Sequence, residues 1–219
     1  MKPRYSTPTN RAFTAFEVLV IIAAVLLLVA LLLPLTGHRH RALSGIDCVY
    51  NLKQVAISFR IWEGDNNDLY PMAVSTSIGG AEELVAANNV AGIFLVLSNE
   101  LSTPFVLHCP ADATCTMTRS FGPGFGRSNI SYFVNVGVTN DSDPHSILVG
   151  DDDFIAGGLA VKPGLAELHT NMTVQWSGAR HEYGGNLGFA DGSVREIMAA
   201  DLQKTFVETR AATNRFAIP

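Results

Sequence analysis

A long N-terminal helix laid on a small antiparallel sheet, an α+β fold, is predicted by three features of this 219-residue chain. Residues 12–34 are apolar almost without interruption. From Ile46 to Trp62 apolar residues recur every three to four positions. Beyond them lie short β-branched and aromatic runs, the last pair joined by Asp191-Gly192. The first two patterns have the helical period; the third has the strand period and a tight-turn residue pair.

The apolar run sets the first element. Val18 to Leu33 is sixteen apolar residues in succession. Counted from 13 to 35 the segment would make about 34 Å of helix at 1.5 Å per residue, enough for a hydrocarbon core of about 30 Å. It is therefore expected to span a membrane. A cleaved secretory signal fits poorly, because no small-x-small site follows Leu33. Glu17 sits near the start of the run. A carboxylate at that depth costs roughly 2.5–3.5 kcal/mol on insertion scales, so it calls for a partner.

Arg11-Ala12-Phe13-Thr14-Ala15-Phe16-Glu17, followed by the apolar run and by Pro34, resembles the processing site of type IV prepilins and type II secretion pseudopilins. Ala12 stands where that family usually has Gly, and Ala15-Phe16 where it usually has two aliphatic residues. The resemblance implies a pilin-like fold and cleavage between Ala12 and Phe13 by a prepilin peptidase, which also N-methylates the new Phe13 amine. Residues 1–12 would then be a cytoplasmic leader, carrying Lys2, Arg4 and Arg11 and no acid, and residues 13–35 the transmembrane and assembly helix. It further implies that Glu17 pairs with the Phe13 ammonium of a neighbouring subunit. Removing one partner from such a buried pair costs about 3–5 kcal/mol, so the pair would set the register of assembly.

Residues 36–63 are expected to continue the helix, kinked at Pro34 and Gly37, with Ile46, Val49, Leu52, Val55, Ala56, Phe59 and Trp62 packed on a head. Gly64-Asp65-Asn66-Asn67-Asp68 ends it, read as a helix-stop turn. The head takes in residues 64–219. Its early part holds helical stretches at 82–87 and 91–97, then strands at 131–136 and 146–149. The run from Cys48 to Met72, with Asn51-Leu52-Lys53-Gln54 and Tyr70-Pro71, and the segment Cys109-Pro110-Ala111-Asp112, are similar to pilin-like proteins of planctomycete and verrucomicrobial genomes.

Three cysteines, Cys48, Cys109 and Cys115, match neither a disulfide-dense scaffold nor a zinc cage. Cys109 and Cys115 are close enough in sequence to close a small loop; Cys48 is an alternative partner for either. His108 with Cys109 and Cys115 lacks an apparent fourth metal ligand.

His181 and Asp191-Gly192 are separated by nine residues, which resembles the H-x(9)-D-G domain near the C-terminus of the same prepilin-type proteins. Gly192 suits the positive φ of a hairpin turn, so 186–190 and 193–197 should pair as strands packed on the long helix. The expected role of His181, Asp191 and Gly192 is structural, hydrogen bonding that ties a loop to the sheet. Asp151-Asp152-Asp153 crowds three carboxylates that repel unless solvated or bridged by a cation. Calcium takes six to eight oxygens, and the major pseudopilins bind it C-terminally, so Asp151, Asp153 and Asp191 are its candidate ligands. No other cofactor is expected.

The function classes narrow accordingly. Past residue 12 the chain holds 12 Lys and Arg against 20 Asp and Glu, so bulk nucleic-acid binding is not expected. No nucleophile elbow, phosphate loop or zinc-protease helix appears, so no enzyme is expected. The expectation is a single-pass inner-membrane subunit with a periplasmic head. It would self-associate with other pilin-like subunits through an inner-membrane assembly platform, into a fibre in the envelope or at the cell surface. A surface pilus subunit for adhesion or DNA uptake, and a membrane-tethered binding protein that keeps a prepilin-type anchor, are the alternatives.

Overall fold

The computed structural model describes residues 14–32, 35–181 and 184–219. The chain divides into two compact units, Met1–Ala42 and Leu43–Pro219. The cleavage pair Ala12 and Phe13 lies outside the described residues, as does Pro34.

In the first unit, helix α1 (Ala15–Leu32) is built from Ala, Leu, Val and Ile apart from Phe16 and Glu17, with no Gly or Pro. Every residue from 14 to 30 is exposed, including Phe16, Leu19 and Leu27. The described helix has 18 residues, about 27 Å at 1.5 Å per residue. Among the described residues no helix is both long and apolar enough to cross a membrane.

The second unit is organised by the part of helix α2 (Leu35–Asp65) from residue 43 on, as the periodicity predicts. Cys48, Leu52, Val55, Ala56 and Phe59 are fully buried and Trp62 nearly so. The inner face thus begins at Cys48, and Ile46, expected on it, is exposed together with Tyr50, Ile57 and Ile61. Asn67 (φ 58°) and Asp68 (φ 56°) stop the helix in the left-handed region, which short amide and acid side chains tolerate. The chain then passes Tyr70, which is fully buried. Its ring meets Phe59 edge to face at 5.9 Å, and its hydroxyl donates to the Ala190 carbonyl at 2.8 Å. Helices α3 (Glu82–Ala86), α4 (Val90–Val96) and α5 (Ser98–Leu101) follow. Asn89 caps α4 by accepting from the Gly92 amide at 2.9 Å, and Ile93 and Phe94 are buried.

The sheet is larger than predicted. Six antiparallel strands run in the order β5 (Gly164–His169), β9 (Thr213–Ile218), β1 (Tyr132–Asn135), β2 (Ile147–Asp151), β7 (Gly184–Phe189), β8 (Val194–Met198). A second sheet of three short strands has the order β4 (Leu159–Ala160), β3 (Phe154–Ala156), β6 (Val174–Trp176). Both faces of the large sheet are covered. Tyr132, Val134, Leu148, Val149 and Ala217 join the α2 core, while Phe133, Ile147, Leu187, Phe189 and Phe216 face a second core. Leu202 and Phe206 of α6 (Ala199–Glu208), with Phe154 and Trp176, close that second side. This is why β1, β2 and β7 are buried at every position instead of alternating.

The predicted hairpin forms. β7 and β8 pair with Asn186 opposite Glu196, and Gly192 takes φ 77° in the turn. At Gly188 a Cβ would lie 2.8 Å from Val149 Cγ2 and 3.4 Å from Ala56 Cβ, so the missing side chain lets α2 and β2 close on β7.

Candidate functional site

Two places gather the residues singled out by the sequence: the first turn of α1 and the two ends of strand β7.

At α1, the Thr14 amide and hydroxyl both donate to Glu17 Oε2, at 2.8 and 2.9 Å, and the Glu17 amide donates to Thr14 Oγ1 at 3.3 Å. This is a reciprocal capping box. The Thr-x-x-Glu spacing that announces it stands in the sequence, and reading Glu17 only as an acid in an apolar run overlooks it. Glu17 therefore has a partner within its own chain.

The His181 and Asp191 halves of the C-terminal motif do not meet. Asn186 lies beside Asp151, whereas Phe189 pairs with Ile147 at the other end of β2. Asn186 and Ala190 are four strand steps apart, about 13 Å. Each half ties down one end of β7.

At the hairpin end, Asp191 accepts from the Ser193 amide at 2.8 Å. Burial raises its pKa, but the Ser193 bonds and the nearby Lys53 and Arg195 charges outweigh that and hold it below the usual carboxylate range. The turn is bound to α2: Arg60 Nη1 donates to the Asp191 carbonyl at 2.6 Å, and Lys53 Nζ donates to the Gly192 carbonyl.

At the other end lies a buried polar cluster. Arg180 pairs with Asp112 at 2.7 Å and also with Asp152, and it donates to the Ser131 carbonyl at 2.8 Å. Asp153 accepts from the Arg180 amide at 3.3 Å and from the Ser177 hydroxyl at 3.2 Å. Asp151 is wholly buried; its Oδ2 accepts from the Asn186 amide at 2.7 Å and lies 3.4 Å from His181 Nε2. Burial pushes Asp152 up to about 7, with the Arg180 charge opposing, and Asp153 up to about 6. The hydrogen bond and charge of Asp151 raise His181. For Asp112, burial raises the pKa but the Thr114 bonds and Arg180 outweigh it, so it is lowered.

This cluster corrects the calcium assignment. The Arg180 guanidinium pairs with Asp152 of the Asp151-Asp152-Asp153 run and with Asp112, Asp153 is held by the Arg180 amide, and Asp191 sits at the far end of β7. The three carboxylates do not converge, so the residues present do not fit a shared calcium ion.

The cysteine pairing is also corrected. Cys109 bonds to Cys48, with a Cα–Cα distance of 5.0 Å, and Cys115 is a free, partly buried thiol. The reason is positional. The helical period puts Cys48 on the inner face of α2, where Cys109 also lies fully buried. Asn51, one turn on, donates to the His108 carbonyl at 3.0 Å and fixes that segment beside the helix. The Asp112 side chain holds the next turn through the Thr114 and Cys115 amides, at 2.9 and 3.3 Å. Burial pushes the Cys115 thiol up.

His181 Nε2 lies 3.6 Å from Cys109 Sγ. The histidine of the motif thus stands against the disulfide, a neighbour that sequence spacing does not reveal. Arg180 was overlooked as well. The signal for it was the acidic triplet itself, since adjacent carboxylates in a head repel unless they are solvated, protonated or paired with a cation. The chain matches no family model, no curated protein and no solved structure.

Proposed function

We infer that this protein is a structural subunit of a pilin-like fibre, of the type II secretion or type IV pilus kind. It is cut between Ala12 and Phe13, held in the inner membrane by the segment 13–35, and assembled from there with its head in the periplasm. The observation that carries the reading is α1: an apolar helix whose side chains from 14 to 30 are all exposed. An exposed apolar surface of that extent calls for lipid or other protein around it. A fibre core of bundled α1 helices supplies the second after the membrane supplies the first.

Glu17 fits the same sequence of events. Both capping bonds fall on Oε2, so Oε1 remains available for the Phe13 ammonium of an adjoining subunit without breaking the helix start. The cut leaves the Thr14 amide in place, and the cap survives processing. The Cys48–Cys109 disulfide is at home in an oxidising compartment outside the cytoplasm.

Mass spectrometry of the chain isolated from its native membrane tests the reading. The expected mature N-terminus is N-methylated Phe13, and cysteines introduced near Phe13 crosslink between subunits. A mature chain beginning at Met1, with no such crosslinks, returns the protein to the class of tethered binding domains.

A further inference from the structure

The Cys48–Cys109 disulfide, with His181 against it, has the ligand set of a soft-metal site. Cys48 Sγ, Cys109 Sγ and His181 Nε2 all lie within 4.8 Å of one another. Zinc binds sulfur at about 2.3 Å and nitrogen or oxygen at about 2.0–2.1 Å. At the tetrahedral angle this separates a sulfur and a nitrogen ligand by about 3.6 Å, and a nitrogen and an oxygen ligand by about 3.4 Å. The observed separations are 3.6 Å from Cys109 Sγ to His181 Nε2 and 3.4 Å from His181 Nε2 to Asp151 Oδ2. Asp151 is fully buried, and among the described residues its Oδ1 has no hydrogen-bond partner. A buried carboxylate oxygen without a partner is costly, and a cation beside it removes the cost.

We propose that Cys48, Cys109, His181 and Asp151 form a redox-gated site for a zinc-class divalent ion, closed while the disulfide stands and open in the dithiol state. Opening is a two-electron reduction. A phosphine and one water convert the disulfide to two thiols and a phosphine oxide. The incoming ion then displaces the two thiol protons and takes two thiolates, the imidazole Nε2 and a carboxylate oxygen. The sulfurs have to part, from bonding distance to about 3.8 Å for two tetrahedral sulfur ligands, and Asp151, which lies outside the group of three ligand atoms within 4.8 Å of one another, has to close on them. Cys115 stands outside the set. The inference rests on the head alone and is independent of the fibre reading.

The test uses the full-length chain in detergent, reduced with a phosphine under argon, desalted and titrated with cobalt(II). The expected result is a thiolate-to-cobalt charge-transfer band and tetrahedral visible bands that saturate at one equivalent and are displaced by zinc. His181→Ala should weaken cobalt binding by more than the about 10–100-fold that losing a supporting partner of a metal ligand costs, and Cys115→Ser should leave it unchanged. A second measurement needs no variant: one equivalent of zinc should protect Cys48 and Cys109, but not Cys115, from alkylation mapped by mass spectrometry. Equal alkylation with and without zinc overturns the proposal. So does the absence of a charge-transfer band in the reduced wild type, or a band lost with Cys115→Ser.

Discussion

Helices α1 and α2 are both apolar-rich, yet they satisfy their apolar residues in opposite ways. α2 buries Cys48, Leu52, Val55, Ala56, Phe59 and Trp62 on one face and leaves Ile46, Tyr50, Ile57 and Ile61 outside. α1 is apolar on every side, and its described residues from 14 to 30 are all exposed. A helix with one apolar stripe can be completed by its own chain, whereas one that is apolar all round is completed by a membrane or by other copies. The head is therefore expected to hold itself together, and α1 to depend on what surrounds it.

The sharpest way to break that contrast is Glu17→Ala. In the fibre reading it abolishes assembly, scored as loss of sheared fibres and of crosslinks near Phe13, while the melting temperature of the head stays at the wild-type value. Normal fibres from the variant would remove Glu17 from the assembly role.

Within the head the largest losses should come from the polar cluster. Arg180→Ala leaves Asp112 and Asp152 without their buried cation, and removing one partner of such a pair costs about 3–5 kcal/mol. Cys48→Ala with Cys109→Ala frees a loop closed across a sequence separation of 61 residues, for which chain entropy gives about 4 kcal/mol. Denaturant unfolding followed by the Trp62 and Trp176 fluorescence measures both; losses under about 1 kcal/mol would mean that the cluster is solvated and the loop already constrained.

A smaller effect is expected with pH. Asp152 and Asp153, raised to about 7 and about 6, keep protons in the folded head that the unfolded chain releases above its ordinary carboxylate range. His181, also raised, gives up its stabilising proton as pH rises through its folded value. All three act in the same direction, so the oxidised head loses stability as pH climbs from about 5 to about 8. Asp112 and Asp191, which are lowered, act only below that window. Melting temperatures across it should fall, and Asp152→Asn should flatten the slope. A rising curve would reverse the assignment.

The smallest change is Tyr70→Phe. It deletes the bond to the Ala190 carbonyl and should cost about 1 kcal/mol, with assembly untouched.

How far each region could be read in advance follows from the range of its interactions. The inner face of α2 and the β7–β8 hairpin were legible, because a period of three to four residues and an Asp-Gly turn act over neighbouring positions. The Thr14–Glu17 cap was equally local. Strand β9 was not: Thr213–Ile218 enters the middle of the sheet between β5 and β1, a placement decided by residues from 44 to 83 positions away. α6 and the three-stranded sheet, which cover the second face, were missed for the same reason. That face also hides the usual alternation, since strands buried on both sides carry no polar phase. In the candidate site, His181 was flagged by its spacing to Asp191, but its real company is Cys109, Asp151 and Asn186.

Sequence alone determined where helix α2 runs, which way it faces, where the hairpin turns, and that the run beginning at Val18 is apolar on every side. These are consequences of backbone geometry repeated along the chain. Tertiary structure alone decided that Cys48 takes Cys109 rather than leaving it to Cys115, that Arg180 pairs with Asp152 and Asp112, and that His181 comes to rest on the disulfide. Those choices depend on which buried groups the packing of α2 and the sheet brings together.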